Sequence, residues 1–447
     1  GAAAGARSLL YGRTSESVRS LDVAFADGRR AHLASGSALD AANLSRAVTE
    51  RAVEIVARHA ALIEERYPKT LRRNAGYGLD LILQQMRRVL STEQFGAIAR
   101  DRTSGEDTAQ RDVLLAALRS VNLASLMCGS EGTLAFTLGA ELLLHPLPKQ
   151  KGLAVLSFSS LDESIEAVVP ILATKPSAVE LLDDTIIDLA TANTEYRKYV
   201  ELMPAAPTPP LRAVLYVEYF AEAADELAMR FEALRKLVKN AGIQCHTNAG
   251  AMLNAWKLRK AGEPLLHGIP GNRKPITFVE DNAVPVENLV AFVREFRKIV
   301  AANGTRAAYY AHASVGVLHV RPLIDLHDEA DRERMRSIAV QVADLARSLG
   351  GVMSGEHGDG RIRTPLVERY FGSELVEAMR EVKRAFDPHN LLNPGNVVNI
   401  EGPQRSIESM TKRLRIMPDP APTARQLRVP DVDTFFKFDT EHGFDAA

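Results

Sequence analysis

The stretch Tyr310–Val320, YAHASVGVLHV, sets two histidines seven residues apart among apolar and aromatic residues, with Gly316 near its middle. Its flanks, Ala308–Ala313 and Val317–Val320, are aromatic or β-branched enough for strands. Counted inward from each end, the pattern fits an antiparallel hairpin folded at Val315-Gly316. That register makes His312 and His319 direct cross-strand neighbours on one face, with Cβ atoms roughly 5 Å apart. Two imidazoles so placed suit one metal ion, and each is also what a satisfied polar residue in a strand looks like. Val-Gly is not a favoured two-residue hairpin turn.

The rest of the chain supplies partners for such a hairpin. Residues 17–34 read as a second hairpin turning at Asp27-Gly28, with Val18, Leu21, Val23 and Phe25 marking the strand. From Ala41 to about Leu118 the apolar residues recur at helical spacing with charges between them, as in a helical insertion. Loop and strand follow, and prolines at 146 and 148 mark a boundary. Residues 151–325 alternate strand and helix, and 329–388 are helical around the glycine-rich SGEHGDG. Recurrent prolines (Pro418, Pro420, Pro422, Pro430) give a linker-like tail after 401. The expected fold class is therefore α+β: a sheet domain with a helical insertion over 1–148, and an antiparallel sheet with helices on one face over 149–400.

Composition narrows the function classes. The chain has 447 residues, too many for one core, and a formal net charge of -1, which gives no bulk basic field for nucleic acid or anionic lipid. Cys128 and Cys245 are the only cysteines, too few for a disulfide framework or a thiolate cluster. No run of about 18 apolar residues exists, so no transmembrane helix is expected. The opening GAAAGARSLLYG is not a signal peptide, and both ends read as cuts through a longer polypeptide.

Three further stretches can carry chemistry. SGEHGDG (Ser354–Gly360) sets Glu356 beside His357 between glycines, which let backbone approach a ligand. Adjacent side chains in an extended loop point opposite ways, so one can ligate a metal while the other faces substrate; a solvated Gly-Asp loop is the other reading. Two histidines and a carboxylate make a ligand set for a divalent ion with open positions. CGSEGTL (Cys128–Leu134) is a small-residue loop whose N–H groups can meet phosphate or flavin oxygens, as many turns also could. AWKLRKAGEPL (Ala255–Leu265) holds the only tryptophan and Arg259, either a bidentate carboxylate clamp or part of a solvated cationic helix face.

Together and in this order, CGSEGTL, WKLR, YAHASVGVLHVRP, SGEHGDG and FDPHNLLNPGN resemble the FAD-linked oxidases of the vanillyl-alcohol-oxidase type, in the D-lactate and D-2-hydroxyglutarate dehydrogenase branch. The helical block and the tail resemble the large bacterial members that carry a following iron–sulfur domain. The resemblance implies metal ligands at His312, His319 and Glu356, zinc or a similar divalent ion, and a catalytic base at His357. It implies substrate-carboxylate binding by Arg259 with Lys274. Flavin contacts would come from Ser8, Tyr11 and Gly12, from Gly129, Ser130, Glu131, Gly132 and Thr133, and from Asn393 in the LNPG turn with Pro394 and Gly395. Residues 1–148 would then be part of a two-subdomain FAD-binding domain whose first subdomain lies before residue 1, so the segment alone is expected to bind FAD poorly. The implied activity is FAD-dependent oxidation of a small D-2-hydroxy acid. Electrons would pass to an iron–sulfur domain, a quinone or an electron-transfer protein, in the cytoplasm or at the inner membrane's surface. A flavin-free metal-dependent hydrolase and a non-catalytic remnant are the rival readings.

Overall fold

The computed structural model describes residues 3–40, 42–99, 108–412, 414, 436–439 and 443–446. The tail prolines 418, 420, 422 and 430 lie outside the described residues. Near the start, β1 (Val18–Ala24) pairs with β2 (Arg30–Leu33) and β3 (Phe136–Leu142) in the order β2-β1-β3. The first hairpin closes as the Asp27-Gly28 signal predicts, with Gly28 at φ +82° and Ala24 opposite Arg30. Helices fill the interval between β2 and β3. In Ser45–Arg58 the buried residues include Thr49, Ala52, Val53 and Val56, one stripe at helical spacing.

A second, antiparallel sheet is built from β4 (Gln150–Phe158), β5 (Ala178–Asp183), β6 (Ala213–Ala221), β7 (Gly242–His246), β8 (Lys274–Pro275), β9 (Asn282–Ala283), β10 (Ala307–His312) and β11 (Val317–Ile324). Its order is β7-β4-β6-β5-β10-β11-β8, with β9 also on β11. The α+β class holds, but helices cover both faces of this sheet rather than one. Leu153, Val155 and Tyr216 pack with Leu258 and Leu265 of the helix Ala249–His267, while Ala154, Leu156 and Val217 pack on the other side with Leu227, Phe231 and Leu234 of Ala224–Leu237. The reason is legible in β4: Leu153–Leu156 is apolar at every position, so both faces must be covered.

The first sheet ends at Leu142 and the second begins at Gln150. The chain then returns. The helix Ser373–Phe386 lies against Ser45–Arg58, where Glu381 accepts from Arg51 Nη2 (2.6 Å) and Arg58 Nη1 (3.0 Å). That return carries the SGEHGDG loop, just ahead of the helix Gly360–Phe371, onto the histidine-bearing face of β10 and β11. Among the described residues no helix is long and apolar enough to cross a membrane.

Candidate active site

The β10–β11 hairpin forms, with a register shifted by two residues from the expected one. Tyr310 opposes His319 and His312 opposes Val317. The turn is not Val-Gly alone but a 3-10 turn, Ala313–Val315, closed by Gly316 at φ +69°. An L residue at Val315 resists the backbone a two-residue turn demands, so the loop lengthens and only glycine takes the left-handed position. A shift of two preserves strand parity. His312 and His319 therefore stay on one face as diagonal neighbours, with ring centroids 5.0 Å apart.

Glu356 reaches this pair from the SGEHGDG loop. Its Oε1 lies 3.4 Å from His312 Nε2 and 3.6 Å from His319 Nε2. Four ligands at about 2.1 Å around a tetrahedral ion are separated by about 3.4 Å, close to the two distances from Glu356 Oε1 to the histidines. Two other donor groups overlap this one, Glu280–His319–His357 and Asp281–Glu356–His357. In the first, the Glu280 carboxylate already receives Arg321 at 3.0–3.1 Å, and in the second Asp281 already accepts the Glu356 and His357 amides. Glu356 is engaged too, by Arg72 at 3.3 Å and the Ala4 N–H at 3.0 Å, so all three groups share their carboxylates with other donors.

The surroundings tune these donors. Both Glu180 oxygens lie 2.8 Å from His312 Nδ1, which directs the other ring nitrogen at Glu356. Burial alone would lower the His312 pKa, but the Glu180 charge outweighs it and holds the imidazole above its ordinary value. His319 is 3% exposed, and burial followed by the charges of His312 and His357 holds it well below the ordinary value. It is therefore neutral near pH 7, as a ligand must be. Burial would raise the Glu356 carboxyl, but the His312 hydrogen bond and Arg72 lower it, so it is ionised. Arg72 is fully buried, 3.3 Å from Glu356 Oε1, and donates from Nε to Ser8 Oγ (2.6 Å) and from Nη2 to Gly5 O.

His357 sits at the mouth of the cluster, its side chain 43% exposed. Its Nε2 is 3.9 Å from Glu356 Oε1 and its Nδ1 faces Glu280 Oε1 at 3.3 Å. The Glu280 hydrogen bond raises its pKa. Arg259, in the helix capped by Asn248, donates from Nη2 to Glu180 Oε2 (2.6 Å) and borders an open cleft of ≈ 300 Å³ shared with Arg7, Trp256, Lys260 and His312. Lys274 is not brought to the cluster. It is exposed on β8 opposite Ile324, five residues and about 16 Å along β11 from His319, and donates to Ile269 O.

The loop 129–133 is held from below and open above. Glu131, at φ +55°, spends its carboxylate on the N–H groups of Asp359 (2.6 Å) and Gly360 (2.8 Å), so its side chain caps the helix Gly360–Phe371. Ser130 and Thr133 are buried and turned inward: Ser130 N–H and Oγ donate to Met127 O, and Thr133 N–H and Oγ1 donate to Ser130 O. Gly129 and Gly132 have positive φ, and a Cβ on Gly132 would meet nothing within 4 Å. Asn393 Nδ2 donates to Glu131 O (2.8 Å), which joins the LNPG turn to the same loop. Gly132 is the exposed residue of this loop, and there the backbone is open to the approach of a ligand. Ser8 and Tyr11 bound a single helical turn ended by Gly12 (φ +71°), and the segment before it donates Ala4 N–H to Glu356 Oε2 (3.0 Å).

Sequence reading missed Glu180, Glu280, Asp281, Arg72 and Arg321. For Glu180 a signal existed, since it stands alone as an acid inside the apolar run of β5. For Arg321 the signal was period two, since it follows His319 by two residues in β11 and shares its face; Glu280, Asp281 and Arg72 lie in stretches with no period that would reveal them.

The fold and this cluster define an α+β protein with antiparallel sheets and a His–His–carboxylate group close to the 129–133 loop. Residues 147–397 match the model of the family "FAD linked oxidases, C-terminal domain". The chain is 30% identical over 424 residues to a D-2-hydroxyglutarate dehydrogenase of Pseudomonas putida, covering 92% of this chain and 38% of that protein. It is 28% identical over 278 residues to a D-lactate dehydrogenase of Archaeoglobus fulgidus, covering 62% of this chain and 58% of that one. A solved 4-ethylphenol oxidase of Gulosibacter chungangensis superposes with a TM-score of 0.51 at 13% identity, over 87% of this chain and 67% of that one, which shows likeness of fold. The chain belongs to the FAD-linked oxidase family.

Proposed function

We propose that the protein takes part in the FAD-dependent oxidation of a small D-2-hydroxy acid, of the D-lactate or D-2-hydroxyglutarate kind, to the 2-oxo acid. The observation that carries this reading is the convergence of His312 and His319 Nε2 on Glu356 Oε1, with a third, exposed imidazole, His357, beside it. The dehydrogenases to which the chain is similar support the substrate class.

In this reading His312, His319 and Glu356 hold a divalent metal, and the backbone of Gly129–Thr133 with Asn393 faces FAD. Bound there, the metal supplies Lewis acidity toward the substrate hydroxyl and FAD supplies a two-electron acceptor. The chain's own work is placement and proton transfer. Arg259, at the cleft beside His312, receives the substrate carboxylate. His357 accepts the hydroxyl proton from its position next to the metal group rather than within it. Residues 1–148 act as part of the FAD-binding domain and 149–400 as the substrate and metal domain. Electrons leave through an iron–sulfur domain, a quinone or an electron-transfer protein, and a cytoplasmic setting suits that exchange.

The test uses the full-length protein. Its flavin absorbance near 450 nm and its metal content are measured, and D-2-hydroxy acids are screened with a dye acceptor. His357→Ala is expected to abolish turnover while retaining metal. Loss of metal equal to that in His312→Ala would show that His357 is a ligand and not the base.

A further inference from the structure

Glu280, which sequence reading did not select, faces two histidines of the site, His357 and His319. Its Oε1 is 3.3 Å from His357 Nδ1. Its Oε2 receives Arg321 Nε at 3.1 Å and Nη2 at 3.0 Å and lies 4.0 Å from His319 Nδ1, which has no hydrogen-bond partner. The carboxylate is 9% exposed, and its backbone is fixed by Arg363 Nη2, which donates to Glu280 O (2.6 Å). The next residue completes the hold. Asp281, at φ +71°, accepts the amides of Glu356 (3.1 Å) and His357 (2.8 Å) and the Ser354 hydroxyl (2.5 Å). Asp281 thus fixes the backbone that carries His357, and Glu280 meets the ring. Asp281 itself is too far from that ring, 4.0 Å from Nδ1, and its oxygens are already in use.

We propose that Glu280 is the positioning residue of His357. It accepts Nδ1–H, selects the tautomer with a lone pair on Nε2, and turns that nitrogen toward the substrate hydroxyl. Arg321, itself held by Glu263 (2.9 Å), locks the carboxylate in place. This rests on the oxidation reading above. In that reaction the substrate O–H bond breaks as the Nε2–H bond forms, and the oxygen's electron pair becomes the second bond of the carbonyl. FAD, when bound, would supply the two-electron acceptor for the C2–H pair, and Glu280 stabilises the imidazolium until its proton is released to water. The logic is that of a carboxylate orienting a catalytic histidine in hydrolases.

A plain structural role is also conceivable: Glu280 would merely neutralise Arg321, whose side chain is 4% exposed. The full-length holoenzyme distinguishes the two through Glu280→Gln, Arg321→Gln and the double variant. Positioning predicts that Glu280→Gln lowers kcat about 100-fold or more, leaves KM within about threefold and keeps the metal. The double variant should be as slow as Glu280→Gln. Recovery of kcat in the double variant to the level of Arg321→Gln would overturn the proposal. A crystal structure of Glu280→Ala, which removes the Nδ1–H acceptor altogether, decides the same point without turnover. The His357 ring should rotate away from its wild-type orientation, and an unmoved ring would overturn the proposal. If the wild-type protein, loaded with FAD and metal, oxidises no D-2-hydroxy acid, the oxidation reading fails and the crystal structure still decides the role of Glu280.

Discussion

Replacing Glu180 by glutamine should weaken metal binding in a pattern that identifies the cause. Glu180 is 1% exposed, so its charge is little screened, and it has two partners: His312 Nδ1 at 2.8 Å and Arg259 Nη2 at 2.6 Å. Glutamine keeps the shape and one acceptor but removes the charge. Loss of such an outer carboxylate lowers metal affinity by about 10–100-fold, or about 1.4–2.7 kcal/mol. The pH dependence follows from the sign of the His312 shift. Glu180 raises the His312 pKa, so below that raised value a metal must first displace a proton. Glu180→Gln removes part of that competition. The affinity gap should therefore be widest near about pH 8.5 and narrow toward about pH 6. Competition titration with a chelator at both pH values measures it, with circular dichroism to confirm folding. Equal affinities for wild type and variant at high pH, in a folded protein, would refute the idea that Glu180 orients and strengthens His312.

Arg259→Lys should raise the KM for the hydroxy acid by about 10–100-fold with little change in melting temperature, since lysine keeps the charge and loses the planar fork; an unchanged KM in steady-state kinetics removes Arg259 from the substrate site. Gly316→Ala should destabilise by at least about 1–3 kcal/mol, because φ is +69° and the new Cβ would lie 1.9 Å from Val284 O; thermal or denaturant unfolding reads this directly. Asp359→Asn should flatten the pH dependence of stability. Burial and the neighbouring Glu131 raise the Asp359 carboxyl to about 8, so between about pH 4 and 8 the folded state holds a proton that the unfolded state has lost. Stability of the wild type therefore falls as pH rises through that window, by up to about 1.4 kcal/mol per unit, and the asparagine variant lacks this component. Denaturant unfolding at pH 5 and 8 compares the two.

Sequence periodicity by itself determined that His312 and His319 share a face. A strand alternates with period two, so the observed two-residue register shift moved each histidine's partner and left its side unchanged. The glycines of SGEHGDG and CGSEGTL likewise marked the loops that meet at Glu131 and Asp359. The same local signals misled where a longer-range condition ruled. One-sided helix cover was expected, yet β4 is apolar at both parities and is buried on both faces. Lys274, expected as a second substrate cation, stands on β8 opposite Ile324 and donates to Ile269 O. What only tertiary structure decided is the electrostatic setting of the site. Arg72, Glu180, Glu280 and Arg321 lie far apart in sequence, and no spacing rule relates them. They meet because the helices after SGEHGDG return to pack on the N-terminal helical block, which closes the loop over the sheet. A charge buried there is tolerable only when a partner of opposite sign arrives with it, and that partner is supplied by the fold rather than by its neighbours along the chain.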